Sequence, residues 1–413
     1  MTLNNEFRLY NPSKHKDSIQ RLYHEVGWMG KDNEDFLDYL LASGNGWVAE
    51  IDGQAESIAH TTAGLIRYLD EDLPASCMTS VATSRIARKQ GIATHLTAHA
   101  LAQGAAEGAL VSIIGVFEQG FYNQLGFGTG GYEHIVAFDP AKLQVDKIQR
   151  TPKRLCKEDW KIIHQSRLER SRHHGGLNIL PAEFTRATLT ESKNGFGLGY
   201  FDSPDGSLSH HLWIGTKNVE RGPYIVLWMA YQSNEQFLEL LSLLTTLGDQ
   251  ILLVKMHEPP RIQMQDLFTQ PLKDRYVSAG SQYESGIRSL AYWQIRICDL
   301  SACLNRTHLV CEEFTFNLIL EDPIEKFIVS NAAWKGLTGD YIVRLGSPSS
   351  IENGYDPDLP TLRASIGAFS RMWLGVRPAS GLSVTDDLKG PHDLLHQLDQ
   401  AFRFPNPKPD WVF

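Results

Sequence analysis

The sequence predicts an α/β (α+β) protein made of several domains. Strand-like runs alternate with amphipathic helical segments along the first two thirds of the chain. Its 413 residues correspond to roughly two to four domains, at about 100–200 residues for each. A charged segment punctuated by prolines at 139–155 predicts one boundary, and a different order of elements begins near residue 290. We therefore expect domains at 1–150, 151–290 and 291–413.

The first predicted domain mixes helix and strand signals in close succession. Asp52-Gly53 joins two strand-like runs and is typical of a tight hairpin. Ser13 is placed to cap the first helix, and Gly108 is placed to end a later one. In chain order, the pattern predicts helices at 13–28 and 34–43, a hairpin around 52–53, a strand at 75–83, a helix at 91–108, a strand at 109–117, a short helix at 120–126 and a strand at 127–138.

The two later domains are predicted from the same signals, and the second repeats the order of the first without its glycine-rich turn. The elements expected in the second are helices near 158–170 and 234–249 and strands near 196–201, 208–215, 224–231 and 250–256. Those expected in the third are strands at 312–320, 325–330 and 341–345 and helices near 361–372 and 391–402.

Composition and charge restrict the class of protein. The formal net charge of −9 disfavours nucleic-acid binding, which requires a basic surface, and is compatible with a cationic ligand. The first residues lack the apolar stretch of a signal peptide, and no run reaches the ~18 apolar residues of a membrane helix. Five cysteines without a CxxC pair are typical of a reduced protein. We expect a cytoplasmic protein that binds neither nucleic acid nor membrane.

One strand-to-helix turn carries most of the chemical information. In "SVATSRIARKQGIATHL" (80–96) a predicted strand ends at Thr83, and Arg88, Lys89 and Gly91 precede the helix. Unpaired amide groups at a helix start bind anions, and Gly91 allows a ligand to approach the backbone closely. The alternative is an ordinary turn with solvated basic side chains. The segment has neither the GxxxxGK[ST] of a Walker loop nor the GxGxxG of a dinucleotide fingerprint.

Together with a second motif, this turn resembles the GNAT superfamily of acyl-CoA acyltransferases. The pattern R-x-x-G-x-A after a strand is similar to the superfamily's pyrophosphate loop, and "GVFEQGFYNQLGFG" (115–128) is similar to the segment that lines the pantetheine arm. The whole chain resembles the bacterial "enhanced intracellular survival" family of acetyltransferases. That resemblance implies two GNAT-like mixed-sheet domains, the second without a cofactor loop, and then a sterol-carrier-like domain whose C-terminus reaches the active site.

The resemblance also implies the site residues. Tyr122 is the expected general acid, and Phe413 is the expected base through its free carboxylate. Each has a structural alternative: Tyr122 as a core side chain, and Phe413 with Trp411 as a plug in an apolar gap. The implied cofactor-binding residues are Val81, Ala82, Thr83, Arg88, Lys89, Gln90, Gly91, Ile92, Ala93, Thr94, Phe117 and Glu118. This chain departs from the family at Phe117-Glu118, where serine and glutamate are usual.

The expected function is acetyl-CoA-dependent N-acetylation of a primary amine, by direct transfer in a ternary complex. The resemblance implies an aminoglycoside- or polyamine-like cation or a protein lysine as acceptor, and a hexameric homo-oligomer. Because the sequence has no HExxH motif or Cys/His cluster, no metal is expected. One alternative is a non-catalytic protein that binds a lipid or apolar ligand, built on a degenerate GNAT pair. Transfer of a longer acyl chain is a second alternative.

Overall fold

Three mixed β-sheets organise the chain, and each contains a parallel pair of strands. The computed structural model describes residues 7–30, 34–116, 118–148, 150–203 and 205–413. The predicted α/β class is confirmed. Within these ranges, no helix combines the length and the apolar character that crossing a membrane requires.

The strands, numbered in chain order, are β1 (Phe7–Leu9), β2 (Asn45–Ile51), β3 (Gln54–Tyr68), β4 (Glu71–Thr83), β5 (Val111–Gly115), β6 (Gly128–Thr129), β7 (Glu133–Phe138), β8 (Lys153–Leu155), β9 (Leu177–Ile179), β10 (Phe196–Tyr200), β11 (His210–Thr216), β12 (Tyr224–Ala230), β13 (Val254–His257), β14 (Gly286–Leu290), β15 (Trp293–Ile297), β16 (Phe314–Glu321), β17 (Gly339–Leu345), β18 (Ser350–Asn353), β19 (Thr361–Ser365) and β20 (Leu388–Lys389).

The helices, numbered in the same way, are α1 (Pro12–Val26), α2 (Glu34–Ala42), α3 (Ile92–Ala106), α4 (Gln119–Asn123), α5 (Trp160–Glu169), α6 (Ala182–Glu191), α7 (Asn234–Thr245), α8 (Pro271–Ser278), α9 (Leu300–Asn305), α10 (Ile366–Trp373), α11 (Ala379–Thr385) and α12 (His392–Ala401).

The early elements follow the predicted order, with one change at a helix start. The hairpin turn is present, with Asp52 and Gly53 at φ values of 50° and 78°. The predicted cap at Ser13 is wrong, because Asn11 caps α1 by accepting a 2.9 Å hydrogen bond from the Ser13 amide. Pro12 causes the difference: it occupies the first helical position, where its missing N–H has no partner to lose.

Two elements near the C-terminus were predicted wrongly. Instead of a strand at 325–330, Pro323–Lys326 forms a 3-10 turn that Asp322 caps at the Ile324 amide. The segment predicted as a helix at 361–372 is divided into β19 and α10. Ser365 marks this division because its side chain accepts a hydrogen bond from the Ala368 amide and starts the helix there.

The first sheet has the order β1-β2-β3-β4-β5-β15-β6, with β9 on β3, and its parallel strands β4 and β5 separate at their C-terminal ends. Paired residues run from Ala75 with Val111 to Met78 with Ile114, and β4 then continues to Thr83. Its register with β3 shifts at this level, opposite His60 and Thr61. Such a bulge bends and twists a strand, so a gap opens between the strand ends.

The first and second sheets exchange strands across the predicted domain limits. The second sheet has the order β14-β7-β13-β12-β11-β10-β8, so it contains β7 from the first 150 residues. The first sheet contains β15, which follows residue 290 and pairs with β5 and β6. The strand predicted at 127–138 is thereby divided, as β6 and β7, between two sheets. The domain limits, which follow chain order, stay a prediction. The sheets do not divide at those limits, because each of the two contains a strand from beyond them.

The third sheet has the order β18-β17-β16-β19-β20 and packs its helices against the first sheet. The Tyr68 ring stacks on Trp373 at 4.3 Å between ring centroids. Arg296 of β15 and Asp322, after β16, form a 2.6 Å ion pair, and both side chains are fully buried. This shared core brings the last residues of the chain back to the gap between β4 and β5.

Candidate active site

A cavity of about 510 Å³ lies where β4 and β5 separate. Its walls include residues 78–81 of β4, residues 114–116 at the end of β5, and Tyr122 of α4. Trp411, Val412 and Phe413 line it from another side. The structure therefore brings together Val81, Tyr122 and Phe413, which the sequence predicts from three distant segments.

The end of β4 provides an open strand edge inside the cavity. Val81 lines the cavity, Ala82 is buried and Thr83 is half-buried. On one side these residues pair with β3, whereas pairing with β5 has already stopped at Met78. An extended chain with amide groups can bind such an edge as an added strand.

The turn after β4 has the form expected of an anion site. Lys89 and Gly91 adopt left-handed conformations, with φ values of 60° and 77°. Gly91 is the N-cap residue of α3 and supplies no side-chain hydrogen bond to the helix, so the helix start is open to a ligand. Arg88 is exposed, as are Lys89 and Gln90, although Gln90 donates back to the Ile86 carbonyl at 2.7 Å. In the first turn of α3, Ile92 is buried and Ala93 and Thr94 are half-buried.

Tyr122 lies between aromatic neighbours at the cavity wall. It is 7% exposed, and its ring meets Phe121 edge-on at 4.9 Å between centroids. Burial raises the pKa of Tyr122 to about 12. The phenol is therefore protonated at neutral pH, as a general acid must be. Of the two residues before α4, Glu118 is exposed, and Phe117 lies outside the described residues.

Phe413 approaches the end of β5 closely. A Cβ atom built on Gly115 would lie 2.5 Å from the Phe413 main-chain oxygen. A side chain at Gly115 would therefore displace Phe413. The predicted acid and base residues thus lie on the same cavity, on either side of the last residues of β5.

A second chamber of about 370 Å³ adjoins the cavity at Phe413. Five aromatic residues line it, namely Tyr23, Trp28, Phe36, Phe184 and Phe413 itself. Glu191 also lines it and remains accessible to solvent. Aromatic ring faces attract ammonium groups, and a carboxylate adds to that attraction. The chamber is therefore suited to a cationic acceptor.

Glu133 and His257 are polar residues of the cavity that sequence reasoning missed. Glu133 Oε1 lies 3.7 Å from His257 Nδ1, and the Glu133 side chain is 14% exposed. Burial, with a contribution from Asp410, raises the pKa of Glu133 to about 7, and Lys408 opposes the shift. Burial lowers the pKa of His257. Because these residues come from β7 and β13 of the second sheet, no local sequence pattern could place them here.

The described part of the chain contains a group of possible metal ligands in the second sheet, formed by Asp202, His210 and Glu239. Arg150 already neutralises it, donating to Asp202 Oδ1 at 2.7 Å and lying 3.4 Å from Glu239 Oε2. His210 Nε2 lies 3.0 Å from Glu239 Oε2. The group is therefore an internally paired network, and a cation would have to displace Arg150.

Comparison with known proteins agrees with this geometry. Residues 7–130 match the family model described as an acetyltransferase (GNAT) domain. No curated protein matches the chain. The matched residues include the open strand edge at the end of β4, the turn at Gly91, and also Tyr122 on α4. Residues 7–130 therefore form a GNAT acetyltransferase domain.

Solved structures share the fold over almost the whole chain. A probable N-acyltransferase from Enterococcus faecalis V583 has 18% identity and a TM-score of 0.76, covering 96% of this chain and 97% of that one. A GCN5-related N-acetyltransferase from Anabaena variabilis has 15% identity and a TM-score of 0.75, at 99% and 100% coverage. Eis1 from Mycobacterium abscessus has 14% identity, the same TM-score and the same coverage. The resemblance to the enhanced intracellular survival family is confirmed as a likeness in fold, and together with the GNAT domain these neighbours support an N-acetyltransferase.

Proposed function

We propose that the protein transfers an acetyl group from acetyl-CoA to a primary amine in a ternary complex. The observation that carries the proposal is the meeting of Val81, Tyr122 and Phe413 on one cavity at the separated ends of β4 and β5. The open edge at Val81–Thr83 suits the pantetheine amides, and the amide groups around Gly91 suit the pyrophosphate, with Arg88 and Lys89 as nearby cations.

In the proposed reaction, the Phe413 carboxylate removes a proton from the acceptor ammonium. The amine nitrogen then attacks the thioester carbonyl carbon, so that a C–N bond forms and the C–S bond breaks. Tyr122 gives its proton to the leaving sulfur. The nitrogen then loses its second proton, which returns through solvent to the Tyr122 oxygen, so that the products are a neutral amide and the free thiol of CoA. With the pKa of Tyr122 at about 12 and an ordinary thiol at about 8.5, the transfer from Tyr122 to sulfur is uphill by about 5 kcal/mol. Because burial raises the pKa of the thiol as well, the true cost is smaller.

The acceptor in this proposal is an aminoglycoside- or polyamine-like cation or a protein lysine. The aromatic chamber at Phe413 supports a cationic acceptor, since five aromatic residues and Glu191 line it. We further propose that the region after residue 290 is a sterol-carrier-like domain, that the protein is cytoplasmic and that it forms a homo-oligomer, in keeping with the family resemblance.

The activity is tested by measuring free thiol released from acetyl-CoA with a panel of amines. We expect release with at least one polyamine, aminoglycoside or lysine peptide, and thermal stabilisation by acetyl-CoA alone. A ligand at 100 times its Kd stabilises a protein by about 2.7 kcal/mol. Absence of both responses at millimolar acetyl-CoA would favour the non-catalytic alternative.

The role of Phe413 is tested by extending the chain beyond it. Added residues replace the free carboxylate with a peptide bond and move the charge out of the cavity. We expect turnover to fall while the affinity for acetyl-CoA is kept. Full activity of the extended protein would exclude Phe413 as the base.

A further inference from the structure

The last residues of the chain lie along a segment of the second GNAT-like region before they enter the cavity. The Pro409 carbonyl accepts a 2.7 Å hydrogen bond from the Leu177 amide. At Gly175, a Cβ atom would lie 2.5 Å from Pro407. We call residues 407–413 the tail. Main-chain contacts of this kind fix the path of its first three residues, 407–409.

Arg170, at the C-terminal end of α5, binds the next residue of the tail. Its Nη2 donates to the Asp410 carbonyl at 2.9 Å, and its Nε donates to Asp410 Oδ2 at 3.2 Å. The remaining Nη1 donates to Asn178 Oδ1 at 2.6 Å, which holds the guanidinium in place. The Arg170 side chain is 4% exposed and that of Asp410 is 33% exposed, so the guanidinium is buried while the carboxylate keeps some contact with water.

Arg167, one turn earlier on α5, contacts the tryptophan that follows. Its guanidinium carbon lies 3.8 Å from the centroid of the Trp411 ring and 4.2 Å from that of Trp228. Arg167 is 3% exposed and Trp411 is 5% exposed. A cation between two aromatic faces is well stabilised, which offsets part of the cost of burying it.

Two arginines buried side by side are electrostatically unfavourable, and burial lowers the pKa of both. Asp410 is the acidic group that acts on each of them. If the tail left this surface, the two cations would lose both their counter-ion and the Trp411 ring. The arrangement therefore strongly favours the docked tail.

We propose that Arg167 and Arg170 are positioning residues for the acetyl transfer, and that the second GNAT-like region serves to hold the tail. The inference rests on the proposed function, because Phe413 needs a defined position only if its carboxylate takes part in the reaction. Trp411 lies two residues before Phe413, and two extended residues span at most ~7 Å. Fixing Trp411 therefore restricts Phe413 to a small volume beside Gly115.

The test compares Trp411→Ala and Arg167→Met with the conservative variants Trp411→Phe and Arg167→Lys. Replacing a buried cation with methionine is compatible with folding, because no unpaired charge remains. Arg150→Met is the control, since Arg150 also lies over a ring, at 4.6 Å from the Tyr200 centroid, but forms its ion pairs with Asp202 and Glu239 and not with the tail. For each variant, kcat, the KM for acetyl-CoA and the thermal midpoint are measured with the amine that the panel identifies.

We expect kcat to fall by about 10- to 100-fold in Trp411→Ala and Arg167→Met, since small displacements of reacting groups have effects of that size. The KM for acetyl-CoA should stay within a factor of roughly two to three, because the strand edge and the turn proposed to hold the cofactor are unchanged. Sodium formate, but not sodium chloride of equal ionic strength, should restore part of kcat, because it supplies a carboxylate that the loosened tail no longer presents. Trp411→Phe should keep most of the activity.

A variant that lacks Phe413 distinguishes two claims: that Phe413 is the base, and that Arg167 and Arg170 position it. If that variant is inactive while Trp411→Ala and Arg167→Met keep full kcat, the positioning role is wrong and the proposed base is unaffected. If the variant without Phe413 keeps full activity, the proposed base itself is wrong. A loss of kcat in Trp411→Ala that formate does not relieve, with an equal rise in KM, would show general damage and overturn the positioning role.

Discussion

The two parallel β-α-β units of the molecule have the same architecture but different chemistry at the helix start. In the first, β4 leads to α3 through an exposed turn, and Gly91 offers no side chain to the free amides of the helix. In the second, β12 leads to α7, and Ser233 accepts a 3.4 Å hydrogen bond from the Gln236 amide. The Gln236 side chain in turn accepts from the Gln232 amide at 2.7 Å.

This difference is the reason why we propose diphosphate binding for the first unit and not for the second. Amide groups satisfied by their own side chains are not available to an anion. A groove lies beside the start of α7, lined by residues 231–234 among others, but the helix start is capped by its own side chains. The two arginines that contact the tail, Arg167 and Arg170, lie outside this unit, at and just after the end of α5.

The largest expected effect concerns Tyr122, the proposed general acid, which lies on α4 directly after the first unit. Tyr122→Phe removes the proton donor but keeps the ring that contacts Phe121 and lines the cavity. We expect kcat to fall by about 10²- to 10⁴-fold, the usual range for a general acid, with little change in acetyl-CoA affinity. Rapid-quench turnover and calorimetric binding check this. An unchanged rate would remove Tyr122 from the mechanism.

The second prediction concerns Glu133, which lies where the two units meet. Its pKa rises from 4.5 to about 7 on folding, so the folded state holds this proton more tightly than the unfolded state. The stability it contributes is present below pH ~4.5 and is lost as the pH rises through ~7, by about 3 kcal/mol in total. Glu133→Gln should therefore become more stable relative to the wild type, by up to that amount, between these pH values. Denaturant unfolding at a series of pH values measures the difference, and a constant difference would contradict it.

The third prediction concerns the open turn itself. Gly91→Val forces a β-branched residue into a φ of 77°, which costs about 1–2 kcal/mol and distorts the amide arrangement. We expect the Kd for CoA to rise by about tenfold or more. Gly280→Val is the matched control, because Gly280, which follows α8, has the same φ of 77° in open space. The same weakening in both variants would show that the effect is not local to the turn.

The smallest expected effect is at the capped helix of the second unit. Ser233→Ala removes the cap of α7, which typically costs 0.5–2 kcal/mol, and the long 3.4 Å hydrogen bond indicates the low end. The thermal midpoint should fall by about 2 °C. The stoichiometry of acetyl-CoA, measured by calorimetry, should stay at one per chain. A second bound equivalent in the wild type would contradict the comparison between the two units.

Local sequence patterns were sufficient for the parts of the site that depend on neighbouring residues. The end of β4, the turn at Gly91 and the helix of Tyr122 were all predicted, because strand length, a left-handed glycine and helical spacing are short-range properties. The errors were also local. Pro12 moved a helix cap by two residues, and Pro323 replaced a predicted strand with a 3-10 turn.

The roles of distant residues depended on the tertiary structure. Glu133 and His257 reach the cavity because β7 joins the second sheet, and Arg167 contacts Trp411 because the tail passes α5. The amino-acid sequence by itself determined the order of helices and strands and the chemistry of one turn, since these follow from contacts within a few residues. Only the tertiary structure decided which strands are exchanged, where the last residues lie and which carboxyl groups share a cavity. Those outcomes depend on burial and pairing between segments more than 100 residues apart in the chain, such as Arg170 and Asp410, which a local pattern cannot encode.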